Sequence, residues 1–577
     1  MNARDGLYEE AIPDRFGTNS YSEDREMESL LRLYLPEDLV THLKPHLHRL
    51  GEFAGGALDA LAQTSDQHPP TLEHRTRTGK DFQRIVKHPA YIEMERLAYS
   101  EFGLAAMSHR GGVLGWPGPM PAAAKYALTF LFVQAEFGLC CPVSMTDSLT
   151  RTLRKFGDPA LVERYLPALT SQDLDALAQG AMFMTEQGAG SDIAATATIA
   201  RPEGDVWKLT GDKWFCSNPD AALAMVLARV EGAPAGMKGV SLFLLPRRLE
   251  DGSQNAYRII RLKDKLGTRS MASGEIRLDG ATAYLVGELG RGFVQMADMV
   301  NNSRLSNGVR AAGMMRRAAA EALYIARHRK AFGKRLIDMP LMQRQLAKIV
   351  LPGEQARTMM FQAAEALRRS DSGDSKAYSL VRILTPMLKF RACRDARRVT
   401  GDAMEVRGGC GYIEEWSDAR LVRDSHLGSI WEGTSNIVAQ DVIRAIVRED
   451  SLHVLQEHLS GLLEQTNMHP AVRARITLLA SGASRLAEKA AATGGGHLSR
   501  QAASALYHLT SAVAMAWEGS NIGSSRRMAL AQLVLLHRLS PKDPLDPGSD
   551  AGTQLLFDDD ANTDPAILNL LEQSTNA

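Results

Sequence analysis

The sequence contains few cysteines, no long apolar run and no excess of charge of either sign. Its five cysteines include no CxxC pair and indicate no disulfide framework. No uninterrupted apolar run is long enough to span a bilayer, and the polar N-terminus lacks the order of a signal peptide. Lys plus Arg total 67 and Asp plus Glu total 67, which excludes a global charge signal for nucleic acid or an anionic membrane. We therefore predict a cytoplasmic protein without a membrane partner.

The hydrophobic pattern predicts an α+β chain with several domains, as its length also indicates. Residues 27–179 are predicted to be helical. The next hundred residues carry short Val-, Ile- and Leu-rich runs, which favour an antiparallel barrel or sandwich. Long amphipathic segments then predict a helical bundle. The predicted segments are a polar tail (1–28), an N-terminal helical domain (29–179), a central β-domain (180–288), a C-terminal four-helix bundle (289–449), an extra helical domain (450–540) and an acidic disordered tail (541–577).

Individual elements follow from the same pattern. Strands are predicted at 206–215, 222–230, 239–245, 257–262 and 275–285. Bundle helices are predicted at 305–328, 341–369, 378–401 and 437–449, and helices of the extra domain at 452–463, 471–492, 499–517 and 526–539. His42 and His46 have the spacing of a metal pair, but Pro45 lies between them and no acid or cysteine completes a tetrahedral set. We therefore expect no metal site.

Residues 429–436 (SIWEGTSN) contain the first candidate for chemistry. Glu432 lies on a predicted turn at the mouth of a helix, where Gly433 permits a tight bend and Thr434 is a good N-cap residue. A carboxylate next to Ile430 and Trp431 is costly to ionise, as is typical of a catalytic base. The alternative is an acid in the capping region, stabilised by the helix dipole. Spacing alone favours this alternative.

Residues 184–192 (MTEQGAGSD) form a glycine-rich loop where helices give way to strands. Gly188 and Gly190 let backbone N–H groups approach a ligand, and Thr185 and Ser191 add hydroxyls, an arrangement that suits a phosphate. Without further context, a plain glycine-rich turn is the favoured interpretation, because such turns greatly outnumber phosphate sites. The loop is neither a Walker loop nor a G-x-G-x-x-G motif, and neither occurs elsewhere in the chain.

Five motifs in this order resemble those of the acyl-CoA dehydrogenase family, across about residues 80 to 448. They are MTE with Gly188, Gly190, Ser191 and Asp192; KWFCS (213–217); RKAFGK (329–334); GGCGY (408–412); and WEGT (431–434). The resemblance implies an N-terminal helical domain, a central β-domain and a C-terminal four-helix bundle. It implies FAD between the β-domain and the bundle, with help from a neighbouring subunit. It also favours the catalytic interpretation of Glu432.

Residue roles follow from the resemblance. Glu432 matches the base that removes the α-proton of an acyl-CoA while a hydride passes from the β-carbon to flavin N5. The thioester carbonyl is expected to bind the backbone N–H of Glu432 and a ribityl hydroxyl. An alternative base position of some members falls on Ser303, which cannot act as a base. The implied FAD-binding residues are Met184, Thr185, Gly190, Ser191, Phe215 and Ser217; Arg329, Phe332, Gly408 and Gly409, which reach the cofactor of a neighbouring subunit; and Trp431, Gly433, Thr434 and Asn436.

The sequence departs from ordinary family members in two features, and in both it resembles the AidB branch of this family. Glu405 replaces a Gln, and a helical segment follows residue 450. The branch comprises alkylation-response flavoproteins that are related to isovaleryl-CoA dehydrogenases and implicated in DNA binding through the C-terminal domain. The resemblance implies a homotetramer. It also implies acyl-CoA and an electron-transferring flavoprotein as partners, with duplex DNA as a further candidate.

Two functions remain open at this point. One is an FAD-dependent acyl-CoA dehydrogenase, which performs α,β-desaturation of a thioester. The other is a flavin-containing DNA-binding protein with weak or vestigial dehydrogenase activity. Alternatively, the basic residues that suggest DNA are solvated on a packing domain. A flavin monooxygenase on the same fold is disfavoured because the base is retained. The basic residues are Arg473, Arg475, Arg485, Lys489, Arg500, Arg526, Arg527 and Arg538.

Overall fold

The computed structural model describes residues 12–541, together with residues 545 and 552. The first part of the predicted N-terminal tail and nearly all of the predicted acidic tail lie outside the described residues. Contacts divide the chain into two compact units. The helical unit comprises residues 12–56, 122–134 and 307–541, and the sheet unit comprises residues 57–121 and 135–306. Within these ranges no helix has both the length and the hydropathy required to cross a bilayer.

Helices occupy more than half of the described residues. In order they are α1 (Met27–Tyr34), α2 (Glu37–Gly55), α3 (Ala57–Gln67), α4 (Pro89–Glu95), α5 (Ala122–Phe132), α6 (Cys140–Phe156), α7 (Pro159–Leu169), α8 (Gly292–His328), α9 (Pro340–Asp371), α10 (Ser375–Arg407), α11 (Ser417–Gly428), α12 (Ser435–Glu449), α13 (Ser451–Glu464), α14 (Pro470–Ala492), α15 (Ser499–Ile522) and α16 (Ser525–Arg538). The predicted bundle and C-terminal helices are confirmed, with longer bounds for all but α16, which is shifted by one residue.

The helical unit is built around α9 and α10, which pack against each other along their length. Helix α10 also contacts α11, α12, α13 and α15, while α15 packs on α9, α14 and α16. On α15 the residues Ala502, Leu506, Leu509 and Val513 are buried at alternating steps of four and three, which places them on one helix face. The C-terminal helices α13–α16 therefore belong to the same compact unit as the bundle.

The strands are β1 (Thr71–Arg75), β2 (Asp81–Val86), β3 (Gly180–Phe183), β4 (Ile199–Glu203), β5 (Val206–Ser217), β6 (Leu223–Val230), β7 (Val240–Pro246), β8 (Tyr257–Leu262), β9 (Ser273–Val286), β10 (Lys330–Ala331) and β11 (Lys334–Arg335). The large sheet has the order β3-β6-β4-β5-β9-β7, and β8 pairs with β9. Because β6 also pairs with β7, five strands close into a barrel. The hydrophobic core of the sheet includes Phe183, Phe243 and Ile259.

Three details differ from the sequence prediction. The sheet is mostly antiparallel, but β6 pairs in parallel with both β3 and β4. The stretch predicted as helical contains the hairpin β1–β2, whose turn is closed by Gly79 in a left-handed conformation at φ 84°. After α4 the helix continues as one π-helical turn, Arg96–Glu101, rather than as a regular α-helix.

Candidate active site

Residues 429–434, termed the base loop, connect α11 to α12 within the helical unit. Glu432 has φ 56° and Gly433 has φ 102°, so two consecutive residues adopt left-handed conformations. Only glycine reaches this region without cost, and strained non-glycine residues cluster at functional sites. Thr434 is the N-cap of α12, as predicted, but its side chain makes no capping hydrogen bond. Thr434 and Asn436 are exposed at the start of α12.

The Glu432 side chain is buried beside a cation. It is 5% exposed, and its Oε1 lies 3.8 Å from a guanidinium nitrogen of Arg310, whose side chain is completely buried. The same guanidinium lies 4.8 Å from the centre of the Trp431 ring. Sequence reasoning missed Arg310, although its spacing from Ser303, the alternative base position, indicated that it lies near the site. It follows Ser303 by seven residues, two helical turns that place both on one face of α8.

A buried lysine on α10 holds the backbone of the base loop. Lys389 Nζ donates to the carbonyl oxygen of Trp431 at 2.9 Å and to that of Gly433 at 2.5 Å. From α8, the Asn307 amide donates to the carbonyl oxygen of Gly428 at 3.1 Å. These bonds tie the loop to α10, and tie the end of α11 that precedes the loop to α8. Sequence reasoning missed Lys389, because no local pattern pairs it with residues forty positions away.

In the sheet unit, a buried ion pair anchors the glycine-rich loop. Glu186 lies 2.7 Å from Lys213 Nζ and also accepts from Thr198 Oγ1 at 2.6 Å and Ala197 N at 2.7 Å. Burial alone raises the pKa of Glu186, but the Lys213 ammonium and these hydrogen bonds lower it below its ordinary value. Lys213 also donates to the carbonyl of Leu227 at 2.7 Å. The loop is therefore fixed to β5 and β6.

The far end of this loop exposes its backbone. The backbone carbonyl of Thr185 accepts a hydrogen bond from the backbone N–H of Trp214 at 2.8 Å, which places the start of the loop beside β5. Gly188, Gly190 and Ser191 are exposed. A Cβ atom built at either glycine would meet no atom within 4 Å, so these backbone groups can be reached by a ligand. The half-buried Met184 precedes them at the end of β3.

The last residues of β5 alternate across the sheet. Phe215 is 58% exposed, Cys216 is buried and Ser217 is half-buried. Burial raises the pKa of the Cys216 thiol, which disfavours the reactive thiolate. Lys263 Nζ lies 5.0 Å from the centre of the Phe215 ring. An exposed aromatic ring and a hydroxyl therefore lie two residues apart on β5, the strand to which the glycine-rich loop is hydrogen-bonded.

A third group of predicted residues meets at the end of α10. Arg329 donates to the carbonyl of Arg407 at 3.0 Å, directly before Gly408, which has φ 75°. Gly408 and Gly409 are exposed. Phe332, in the β10–β11 hairpin, is 97% exposed with φ 53°. The structure thus places Arg329 at the Gly408 turn and leaves the Phe332 ring exposed to solvent.

The basic residues of the C-terminal helices fall into two groups. Arg473 donates to two backbone carbonyls, and buried Arg475 donates to Ser540 Oγ at 2.8 Å. Arg526 and Arg527 form ion pairs with acids inside the helical unit. Both alternatives considered for these residues, DNA binding and solvation, require side chains that face the solvent, and these four instead make contacts within the helical unit. Of the others, Arg538 is half-buried, and the exposed ones are Arg485, Lys489 and Arg500.

No group of three or more His, Cys, Asp or Glu side chains in the described ranges is arranged to hold a metal ion. His42 and His46 lie on one face of α2 with their rings 5.3 Å apart.

Comparison with known proteins gives consistent matches along the chain. Family profiles match at residues 290–447 (acyl-CoA dehydrogenase, C-terminal domain), 181–281 (acyl-CoA dehydrogenase, middle domain) and 12–176 (adaptive response protein AidB N-terminal domain). The chain is 31% identical to acyl-CoA dehydrogenase family member 11 of Caenorhabditis elegans, over 78% of this chain and 74% of the relative. It is 33% identical to AidB of Escherichia coli, over 68% and 72%.

A solved structure of similar shape is that of Caenorhabditis elegans ACDH-11 in complex with C11-CoA. Its TM-score to this chain is 0.86 at 27% identity, and the match covers 93% of this chain and 94% of that chain.

Proposed function

Because this chain belongs to the acyl-CoA dehydrogenase family, in its AidB-like branch, we propose that it desaturates an acyl-CoA thioester between the α and β carbons. Glu432 is the proposed base for the α-proton. The observation that carries this role is the buried Glu432 carboxylate on a strained turn, held between two fixed peptide groups and beside the Arg310 guanidinium. Strain, burial and a charged neighbour together are typical of a working base rather than of a capping acid.

In the proposed reaction, Glu432 does two things. Its side chain accepts the α-proton, and the Arg310 cation at 3.8 Å stabilises negative charge on Oε1 before that transfer. Its backbone N–H donates to the thioester oxygen, on which charge develops as the proton leaves. Burial of the side chain excludes bulk water, which makes both interactions stronger than they would be in solution.

The residues present fit the FAD that the family requires. When bound, FAD supplies the acceptor for the hydride from the β-carbon. In the sheet unit, the open backbone at Gly190 with Ser191 suits a phosphate, and the exposed ring of Phe215 beside Ser217 suits a flat aromatic group. The proposed holding residues are Met184, Thr185, Gly190, Ser191, Phe215 and Ser217, with Trp431, Gly433, Thr434 and Asn436 from the base loop and α12.

We also propose a homotetramer in which Arg329, Phe332, Gly408 and Gly409 contact a neighbouring subunit's FAD. The left-handed backbone of the exposed Phe332 supports this, since strained non-glycine residues cluster at ligand-binding sites. Light scattering should give the mass of four chains, and a monomer would contradict the proposal.

An electron-transferring flavoprotein is the proposed electron acceptor. We also propose a reducing, cytoplasmic location, which the five free cysteines support.

An anaerobic titration tests the proposed reaction. The purified protein should show the spectrum of oxidised flavin, and a suitable acyl-CoA should bleach it. The panel should include short branched chains and C11-CoA, since a relative has been solved with the latter. Glu432→Gln should slow bleaching by roughly 10²- to 10⁴-fold. Glu488→Gln, the same change at an exposed position on α14, should not. A colourless protein, or one that no acyl-CoA bleaches, would contradict the function.

Duplex DNA binding is a second candidate, supported by the exposed Arg485, Lys489 and Arg500. Neutralising all three tests it more cleanly than truncation, because the helices that carry them are packed into the helical unit. If these residues contact phosphates, the slope of log affinity against log salt should become less negative by about 3. An unchanged slope would remove the DNA function and leave the dehydrogenase proposal intact.

A further inference from the structure

Lys389 is a buried cation to which the proposed chemistry assigns no role. Its ammonium donates to the carbonyl oxygens of Trp431 and Gly433, the residues on either side of Glu432. Burying an ammonium is costly unless hydrogen bonds compensate it. At the end of α11, directly before the loop, a neutral amide is sufficient, since Asn307 holds the carbonyl of Gly428. A full charge is thus placed on the two backbone carbonyls that flank the proposed base, whereas the described contacts of Arg397 and Arg310 with the loop are to the Ser429 hydroxyl and the Trp431 ring.

The position of Lys389 fixes the direction of one particular donor. The Trp431 carbonyl and the Glu432 N–H belong to the same peptide group, and the described chain has no cis peptide bond. In a planar trans peptide the N–H points away from the C=O. Because the Trp431 oxygen faces Lys389 Nζ at 2.9 Å, the Glu432 N–H faces the opposite side. The bond to Gly433 limits rotation on the other side of the strained residue.

The charge of Lys389 has a second effect on the same peptide group. A cation bonded to a carbonyl oxygen polarises that amide and strengthens the bond that its N–H donates. Geometry and polarisation therefore act on a single hydrogen bond, from the Glu432 N–H to the thioester oxygen. We propose that Lys389 is a positioning residue that aims and polarises the Glu432 N–H for the acyl-CoA thioester. This inference rests on the proposed dehydrogenase function.

Three substitutions separate positioning from support of the fold. Lys389→Arg keeps the charge, Lys389→Gln keeps a donor without charge, and Lys389→Met removes both. The control is Lys348→Met, at an exposed position on the adjacent helix α9. Each is prepared with FAD and compared for flavin content, thermal midpoint, kcat and KM. Removing an oxyanion donor costs about 10²- to 10³-fold in kcat. Misdirecting one should cost roughly 10- to 100-fold in Lys389→Gln, with KM changed less than threefold.

A spectroscopic readout tests the acidity of the bound ligand directly. A 3-thiaacyl-CoA cannot be oxidised, and its deprotonated form gives a long-wavelength band beside oxidised flavin. We expect the pH at which the band appears to rise by about 1 to 2 units in Lys389→Gln, which is the same 10- to 100-fold weakening of the donor. Lys389→Arg should recover most of the shift, and the Lys348→Met control should match the unmodified protein.

The outcomes separate this inference from the proposed function. If the unmodified protein gives neither bleaching nor the long-wavelength band, the dehydrogenase function fails. If it gives both, and Lys389→Gln retains flavin with unchanged kcat and an unchanged band, the positioning role is overturned while the function stands. Lys389→Met is the variant that is most prone to misfold. The positioning role is therefore judged from the Lys389→Gln and Lys389→Arg variants.

Discussion

Arg527 on α16 is the most deeply engaged of the C-terminal arginines. Its side chain is completely buried, as is that of Glu518 on α15, and its Nε donates to Glu518 Oε2 at 2.8 Å. The guanidinium also reaches Glu354 on α9 at 3.1 Å and Glu26 at 3.3 Å. One cation therefore links the N-terminal segment, a bundle helix and the last two described helices.

Replacing Arg527 by Met should strongly destabilise the helical unit. Glu354 keeps Arg357 and Arg526 as partners, whereas Glu518 keeps hydrogen bonds from Tyr34 and Thr358 and loses this ion pair. Removing one partner of a buried ion pair typically costs 3–5 kcal/mol, since the other charge stays buried. We expect a loss of about 3–5 kcal/mol for Arg527→Met. Glu518→Gln should cost about 1–3 kcal/mol. The glutamine carries no charge, and Arg527 keeps Glu354 and Glu26 as partners.

Urea unfolding of the four members of this double-mutant cycle provides the assay. The double variant should lose at least about 2 kcal/mol less than the sum of the single losses, since each change removes the partner of the other. Arg485→Met, at an exposed site on α14, should change the free energy of unfolding by less than about 0.5 kcal/mol. A loss below about 1 kcal/mol for Arg527→Met would refute the view that this network fastens the C-terminal helices.

Two further predictions concern buried ionisable groups. Burial, aided by Arg369, lowers the pKa of His458 from 6.5 to about 4. The unfolded chain therefore takes up a proton that the folded chain rejects between these pH values, and stability should fall by up to about 3 kcal/mol as pH decreases through them. His458→Gln should flatten that slope in urea titrations across pH. Lys213→Gln should leave Glu186 buried without its cation and release the glycine-rich loop. The flavin-to-protein ratio should fall about tenfold after gel filtration, and full occupancy would contradict a role of this loop in binding.

Much of the fold could be predicted from local patterns. Strand β8 was predicted with the bounds it has, because its apolar residues are framed by turn-forming neighbours. The short strands β3 and β4 were not predicted. Strand β3 has only four residues, and β4 carries Pro202 and two charged residues, so their pairing with β6 depends on distant partners. The β1–β2 hairpin was missed inside a stretch that otherwise favours helices.

The candidate site could be predicted in part. Motifs identified Glu432 and the glycine-rich loop, since each is contiguous in the sequence. Arg310 and Lys389 could not be found this way, because their closeness to Glu432 depends on how α8 and α10 pack around the base loop. The same limit applies to Arg527, whose charge indicated a surface residue until packing placed it in the interior.

The central claim is that the Glu432 carboxylate removes the α-proton, and isotope exchange tests it most directly. A 3-thiaacyl-CoA with deuterium at the α-carbon, bound to the FAD-containing protein in ordinary water, should lose its label without any oxidation. The proposed role predicts rapid loss with the unmodified protein and with Glu488→Gln, and loss slowed by at least about 10²-fold with Glu432→Gln. Exchange at the unmodified rate in Glu432→Gln would show that another group is the base.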